Sequence, residues 1–144
     1  MDAYHQLNSI LVQLFNNTMD IERKYVLKSE FKNISVNDMH ILDAIGTGAS
    51  QNMSSVAKKV GVTVGTLTIA INSLVKKGYV VRVRSESDRR VVLISLSELG
   101  NKAYEHHRDF HLKMVEAMRQ GLDEDQCEVL VKALTNLGEY FTKV

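Results

Sequence analysis

Apolar residues recur at helical spacing through the first 27 residues, with Leu7, Ile10, Leu11, Leu14 and Thr18 on one face and Phe15 and Met19 alongside. That period predicts an amphipathic helix of several turns. The segment KSEFKNIS breaks it and reads as a loop. Ser35 is a suitable N-cap, with Asp38 in the first turn, for a helix carrying Met39, Leu42 and Ile45 on one face and Ile41 beside it. Gly46 and Gly48 stop it. A short helix follows, capped by Asn52, with Val56, Ala57 and Val60 inward and Gly61 just past its end. Thr63 opens the next, which runs through Leu67, Ile71, Leu74 and Val75 to Gly78. The period then changes to two. Val81 and Val83 point one way and Arg82 and Arg84 the other, Ser85 to Asp88 make a turn, and Val91 to Leu96 return as an apolar strand. Two helices around a glycine-containing turn, followed directly by a hairpin, form a winged helix-turn-helix.

Beyond it, Ser97 caps a long helix with Ala103, His107, Phe110, Met114 and Met118 on one face, ended by Gly121. Asp123 with Gln126 three residues on makes a capping-box start. The last helix carries a stripe of Cys127, Leu130, Val131, Leu134, Leu137 and Phe141. The fold class expected is mainly α with a small β-hairpin, with helices at both chain ends outside the winged core. Those outer stripes need a surface to bury against. A second copy of the chain supplies one, giving a homodimer; packing within one chain is the alternative.

Composition adds bounds. A hydrophobic share of 44% is enough for a core, and no apolar run reaches the roughly 20 residues that span a bilayer. The opening MDAYHQLNSILVQLF has no basic stretch followed by a small-residue cleavage site, so no signal peptide is expected. One cysteine, Cys127, excludes an internal disulfide framework and fits a cytoplasmic location. Zero prolines and 8 glycines favour unbroken helices punctuated by glycine.

Charge changes the picture through its placement. The net charge is only +1, yet residues 58–90 hold Lys58, Lys59, Lys76, Lys77, Arg82, Arg84, Arg89 and Arg90 against Glu86 and Asp88. That segment carries a local +6 and the rest of the chain −5. A basic centre between mildly acidic ends is the footprint of a nucleic-acid reader. The helix from Thr63 is the candidate recognition element. Leu67, Ala70, Ile71 and Leu74 face the core, which leaves Thr63, Thr66, Thr68, Ile69, Asn72, Ser73 and Lys76 toward the open side, and Lys77 follows. Asn can read adenine bidentately and a Thr methyl can pack on thymine. Gly65, without a side chain, lets a phosphate approach the helix N-terminus. On the hairpin, Arg82 and Arg84 can lie along phosphates and Arg89 can enter an A·T-rich minor groove. Asp88 is expected to brace the tip by accepting from Arg90.

SDRRVVLISLSELG resembles the wing signature of the MarR family of bacterial transcriptional regulators, and VGVTVGTLTIAINSLVKKGYVVR resembles its recognition helix and first wing strand. Ser97 stands where that family usually has Thr, an exchange between two N-cap residues. The resemblance covers almost the whole chain. It implies one MarR-type domain over 1–144, with 1–30 and 101–144 as helical dimerisation region and 35–98 as the winged-helix DNA-binding lobe. MHILDAIG, VTVGTLT, VRSESDRRVV, HRDFHLKMVEAM and LTNLGEYF are similar to the FabT-like branch, repressors of fatty-acid-synthesis genes in Gram-positive bacteria. That implies double-stranded DNA as partner and a long-chain acyl group on acyl carrier protein as corepressor. A helical body rich in Leu, Met and Phe is compatible with an acyl tunnel. A MarR-type repressor released by a small aromatic ligand, or a zinc-responsive one, is the alternative. A winged-helix module that binds only protein would present a less basic face.

Two further features bear on metal and redox chemistry. His107 and His111 stand four apart on a helix, a spacing that can put two imidazoles on one metal. A third and fourth ligand are not evident in sequence, so no metal site is expected; His40 is assigned a packing role. Cys127 lies among Asp123, Glu124, Asp125 and Glu128, which favour the protonated thiol, and it is read as structural. No Gly-rich phosphate loop, nucleophile elbow or metalloprotease motif occurs, so no enzyme and no cofactor are expected.

Overall fold

The computed structural model describes residues 2–144. In chain order the elements are α1 (Ala3–Leu27), α2 (Val36–Ile45), β1 (Gln51–Asn52), α3 (Met53–Val60), α4 (Val64–Lys76), β2 (Val80–Arg84), β3 (Val92–Leu96), α5 (Glu98–Arg119) and α6 (Glu124–Thr142). The mainly helical, winged helix-turn-helix fold is as the sequence pattern predicts. Contacts divide the chain into two compact units, one through Arg108 and one from Asp109 to Val144.

In the first unit the caps fix where each helix begins. Ser35 and Asp38 form a reciprocal capping box at the start of α2, with Ser35 Oγ accepting from Asp38 N at 3.0 Å and Asp38 Oδ2 accepting from Ser35 N at 3.0 Å. Asn52 caps α3 through Ser55 N at 2.7 Å. Gly61 ends α3 at φ 82°, a left-handed turn that favours glycine and redirects the chain into α4. Met39, Leu42, Ile45, Val56, Leu67, Ile71, Leu74 and Ile94 are fully buried, so α2, α3, α4 and β3 converge on one core. Burial of one such side chain contributes about 1.5–3 kcal/mol, and the core is what holds α4 with its polar face outward. Phe31 and Ile34 join this core from the segment read as a plain loop.

The sheet is antiparallel with β3 central, in the order β1-β3-β2. β2 pairs with β3 from Val80↔Leu96 to Arg84↔Val92, and β1 adds Gln51↔Ile94 and Asn52↔Leu93. The alternation along β2 does not place a valine face on the core. Only Val80 is buried, and Val81 and Val83 are both exposed, because the wing extends past the helices that could cover it.

The junction after β3 explains the Ser-x-x-Gly signature. Ser97 Oγ donates to the Gly78 carbonyl at 2.5 Å and accepts from Gly100 N at 3.0 Å, while Ser97 N donates to the Tyr79 carbonyl at 3.0 Å. A Cβ at Gly100 would fall 2.1 Å from that Tyr79 oxygen, closer than any side chain tolerates.

In the second unit, Asp123 and Gln126 form the capping box of α6 as expected. No residue of α6 is buried; Val131, Leu134 and Phe141 of its stripe are exposed. On α5, Ala103, His107 and Phe110 are buried but Met114 and Met118 are exposed. Cys127 is half-buried. No helix among the described residues is long and apolar enough to cross a membrane.

Candidate nucleic-acid interface

The recognition helix presents its face because Leu67, Ile71 and Leu74 anchor the other side. Thr63, Thr66, Ile69, Asn72, Ser73 and Lys76 are exposed, and Thr68 is half-buried. Several of these side chains already have partners. Thr63 Oγ1 caps the helix, accepting from Thr66 N at 3.1 Å and donating to Thr66 Oγ1 at 3.0 Å. Thr68 Oγ1 donates to the Val64 carbonyl at 2.8 Å, leaving it lone pairs and a methyl to offer outward. Asn72 Oδ1 accepts from Arg82 Nη1, a bond from recognition helix to wing strand. A Cβ at Gly65 would meet only Thr63 Oγ1, at 3.9 Å, so crowding within the chain does not require glycine there.

Lys77 has a second task. Its Nζ donates to the Asn33 carbonyl at 2.6 Å, and Tyr79 Oη donates to Asn33 Oδ1 at 2.6 Å. Together they fasten the end of α4 to the loop before α2.

The wing is braced internally. Asp88 accepts from Arg90 at three atoms: the backbone N at 3.1 Å, Nε at 3.1 Å and Nη2 at 3.2 Å. The Arg90 side chain, then its backbone N–H, hold the Asp88 carboxyl below its ordinary value. Arg84 Nη1 donates to the Arg89 carbonyl at 2.9 Å, tying one strand to the turn. Arg82, Arg84 and Arg90 are thus engaged within the chain. Among the described residues the Arg89 guanidinium has no such partner, so its charge is available to a ligand. A cleft of about 510 Å³ lies between this wing and the helices, lined by Asn52, Ser54, Val64, Thr68, Arg82 and Arg90 among others.

A second polar cluster, in the core of the first unit, escaped the sequence reading. Glu22 on α1 is buried, and its Oε1 meets His40 Nε2 at 2.9 Å and His107 Nε2 at 2.5 Å. The other ring nitrogen of His107, Nδ1, lies 2.6 Å from Asp43 Oδ2. His40 therefore does more than pack. Burial acts to raise the Glu22 carboxyl, but hydrogen bonds from His107 and then His40 outweigh it and hold the carboxyl low. For His107, burial acts to lower the imidazole, and hydrogen bonds to Asp43 and Glu22 outweigh that and raise it. Glu22 and His107 offer ligand atoms of the kind that hold a divalent cation, with Asp43 orienting His107 from behind. His111, four residues after His107 on α5, belongs to the second unit. Nothing in the local sequence singles out Glu22, which stands among Asp20, Arg23 and Lys24 in a charged stretch.

Comparison with known proteins agrees with this geometry. A family model described as transcriptional regulator SarA/Rot matches residues 23–107. The chain is similar to FabT of Streptococcus pneumoniae, whose crystal structure is a complex with DNA: 41% identity, 97% of this chain and 98% of that chain covered, TM-score 0.87. The reduced form of MarR from E. coli shares the fold at 24% identity, covering 90% of this chain and 94% of that chain, with a TM-score of 0.67. SarZ of Staphylococcus haemolyticus is 29% identical over 93 residues; the match takes in 65% of this chain and spans 63% of SarZ's length. The resemblance carried by the wing and recognition-helix motifs is thereby borne out. The chain belongs to the MarR family of transcriptional regulators, matched by the SarA/Rot model, and is a regulator rather than an enzyme.

Proposed function

We propose that the chain is a sequence-specific DNA-binding repressor of fatty-acid-synthesis genes. It binds a palindromic operator as a homodimer, with long-chain acyl–acyl carrier protein as corepressor. The observation that carries this reading is the near-full-length likeness to FabT, a protein crystallised on DNA. The side chains of α4 are suited to the task. Thr63, Thr66, Thr68, Asn72 and Ser73 meet base edges in a major groove, Lys76 and Lys77 with Arg84 lie near phosphates, and Arg89 enters the adjacent minor groove. Asp88 and Arg90 keep the wing stiff enough to hold Arg89 in place.

The homodimer rests on the terminal helices. Leu7 (61% exposed), Leu14 (55%) and Phe15 (58%) on α1, and Val131 (64%) on α6, leave apolar stripes open in one chain. A second copy buries them and sets two α4 helices roughly one helical turn of DNA apart. The residues 1–30 and 101–144 would form this dimerisation region and 35–98 the reading lobe. The corepressor acts by population shift, binding more tightly the dimer whose lobe spacing fits DNA. The test is a binding titration on a palindrome from a fatty-acid-synthesis promoter, with and without acylated carrier protein. Tighter binding with the acylated carrier is expected. Release or indifference removes the corepressor assignment.

A second reading, a zinc-responsive regulator, draws on Glu22 and His107, whose side chains meet in the core. Adding zinc in place of the carrier in the same titration separates the two.

A further inference from the structure

The bond between Asn72 and Arg82 has a consequence for base recognition. Asn72 stands on the exposed face of α4, and Arg82 stands on β2 beside it, on the wall of the cleft that also includes Thr68. A guanidinium can only donate. The amide of Asn72 must therefore turn its oxygen toward Arg82 Nη1, and the orientation is fixed by chemistry, since the opposite flip would set donor against donor. The NH₂ group of Asn72 is left to face outward. An amide held this way is a donor on its free side, suited to purine N7, guanine O6 or thymine O4, and opposed by the N4–H₂ of cytosine. An unheld asparagine could flip and accept from cytosine.

We propose that Arg82 is a positioning residue for sequence recognition: it acts through Asn72, by fixing the direction of the amide, and not as a phosphate contact. The assignment rests on the reading that α4 enters a major groove. It differs from the simpler role for a wing cation, in which Arg82 adds affinity to every DNA sequence alike. The neighbouring arginines make the contrast sharp. Arg84 and Arg90 are tied to the wing's own backbone and carboxylate, whereas Arg82 alone among these three reaches the recognition helix.

The experiment begins by selecting an operator from randomised duplex DNA with the parent chain. All base substitutions of each half-site are then titrated with the parent, Arg82→Met, Arg82→Lys, Asn72→Ala and the double variant Arg82→Met/Asn72→Ala. A non-specific duplex is included, and two salt concentrations are used. Arg82→Met and Asn72→Ala should relax preference at the same base pair, with the parent's cytosine penalty there falling about tenfold, the scale of one base contact. The double variant should be no less selective than either single one. Arg82→Lys keeps the charge and a head group that only donates, so it should retain more of the preference than Arg82→Met and leave the salt dependence as in the parent. A uniform affinity loss with intact preference, and a salt slope reduced by about one phosphate contact in Arg82→Met alone, would overturn the assignment and leave the DNA-binding reading standing. If the parent enriches no sequence, the DNA reading falls and this assignment falls with it.

Discussion

The reading lobe and the terminal helices of this chain are built on opposite terms. In the lobe, each element that would face DNA is already held by its own chain. Leu67, Ile71 and Leu74 anchor α4, Asp88 and Arg90 stiffen the wing, and Asn72 and Arg82 join the two. At the termini, α1 keeps only Glu22 and Val26 buried, and α6 buries nothing. The polar surface is the ordered one and the apolar surface is the unfinished one. A chain that must meet DNA in a fixed geometry benefits from preorganising its donors before contact, because ordering them at the moment of binding costs affinity. A chain that must meet itself needs the reverse, since an apolar stripe finished within one subunit would leave nothing for the second.

The comparison can be broken most forcefully at the joint between lobe and body. Gly100→Ala places a methyl against the Tyr79 carbonyl, and we expect a loss of about 3 kcal/mol of stability, read by denaturant unfolding. A near-neutral result would mean that the junction can slide. Next, Leu14→Asp puts a charge into the α1 stripe. The variant should sediment as a monomer and bind a palindrome more weakly by on the order of 100-fold, since the avidity of two linked half-sites is lost, while its circular dichroism stays native. A smaller effect follows at the wing. Arg89→Ala removes the wing guanidinium that has no intrachain partner among the described residues, and should cost about tenfold in affinity on A·T-rich flanks and less on G·C-rich ones.

The smallest effect lies in the buried cluster, and its sign follows from the two shifts. His107, ordinarily near 6.5, is raised, so its contribution is complete below that pH and is lost as the pH rises through the raised value. Glu22, ordinarily near 4.5, is lowered, so its contribution is complete above that pH and is lost as the pH falls through the lowered value. The cluster should therefore stabilise best between those two ordinary values. With a chelator present, the thermal midpoint should decline on the alkaline side for the parent. In His107→Gln it should be lower throughout and lack that alkaline decline.

How much of this could be read in the sequence depends on the range of each interaction. Ser35, Asn52, Thr63 and Asp123 were legible as caps because a cap and its N–H donor lie three residues apart. The winged helix was legible because its periods change sharply at Gly78. β1 was not, since a strand of two residues carries no period and exists only through pairing with β3. The exposure of Val81 and Val83 was hidden for a related reason: alternation separates two faces of a strand but does not say whether anything covers either. Glu22 was invisible as a partner of His40 and His107, which lie 18 and 85 positions away. Arg82 looked like any wing cation until the fold set it beside Asn72.

On this reading the unfinished body duplicates a finished reading lobe. The most direct test of that duplication is the stoichiometry and affinity of the parent chain on a palindromic duplex against a duplex holding a single half-site, measured by sedimentation at fixed salt. Two chains on each palindrome are expected, with the single half-site bound on the order of 100-fold more weakly. One chain bound equally well to either duplex would contradict it.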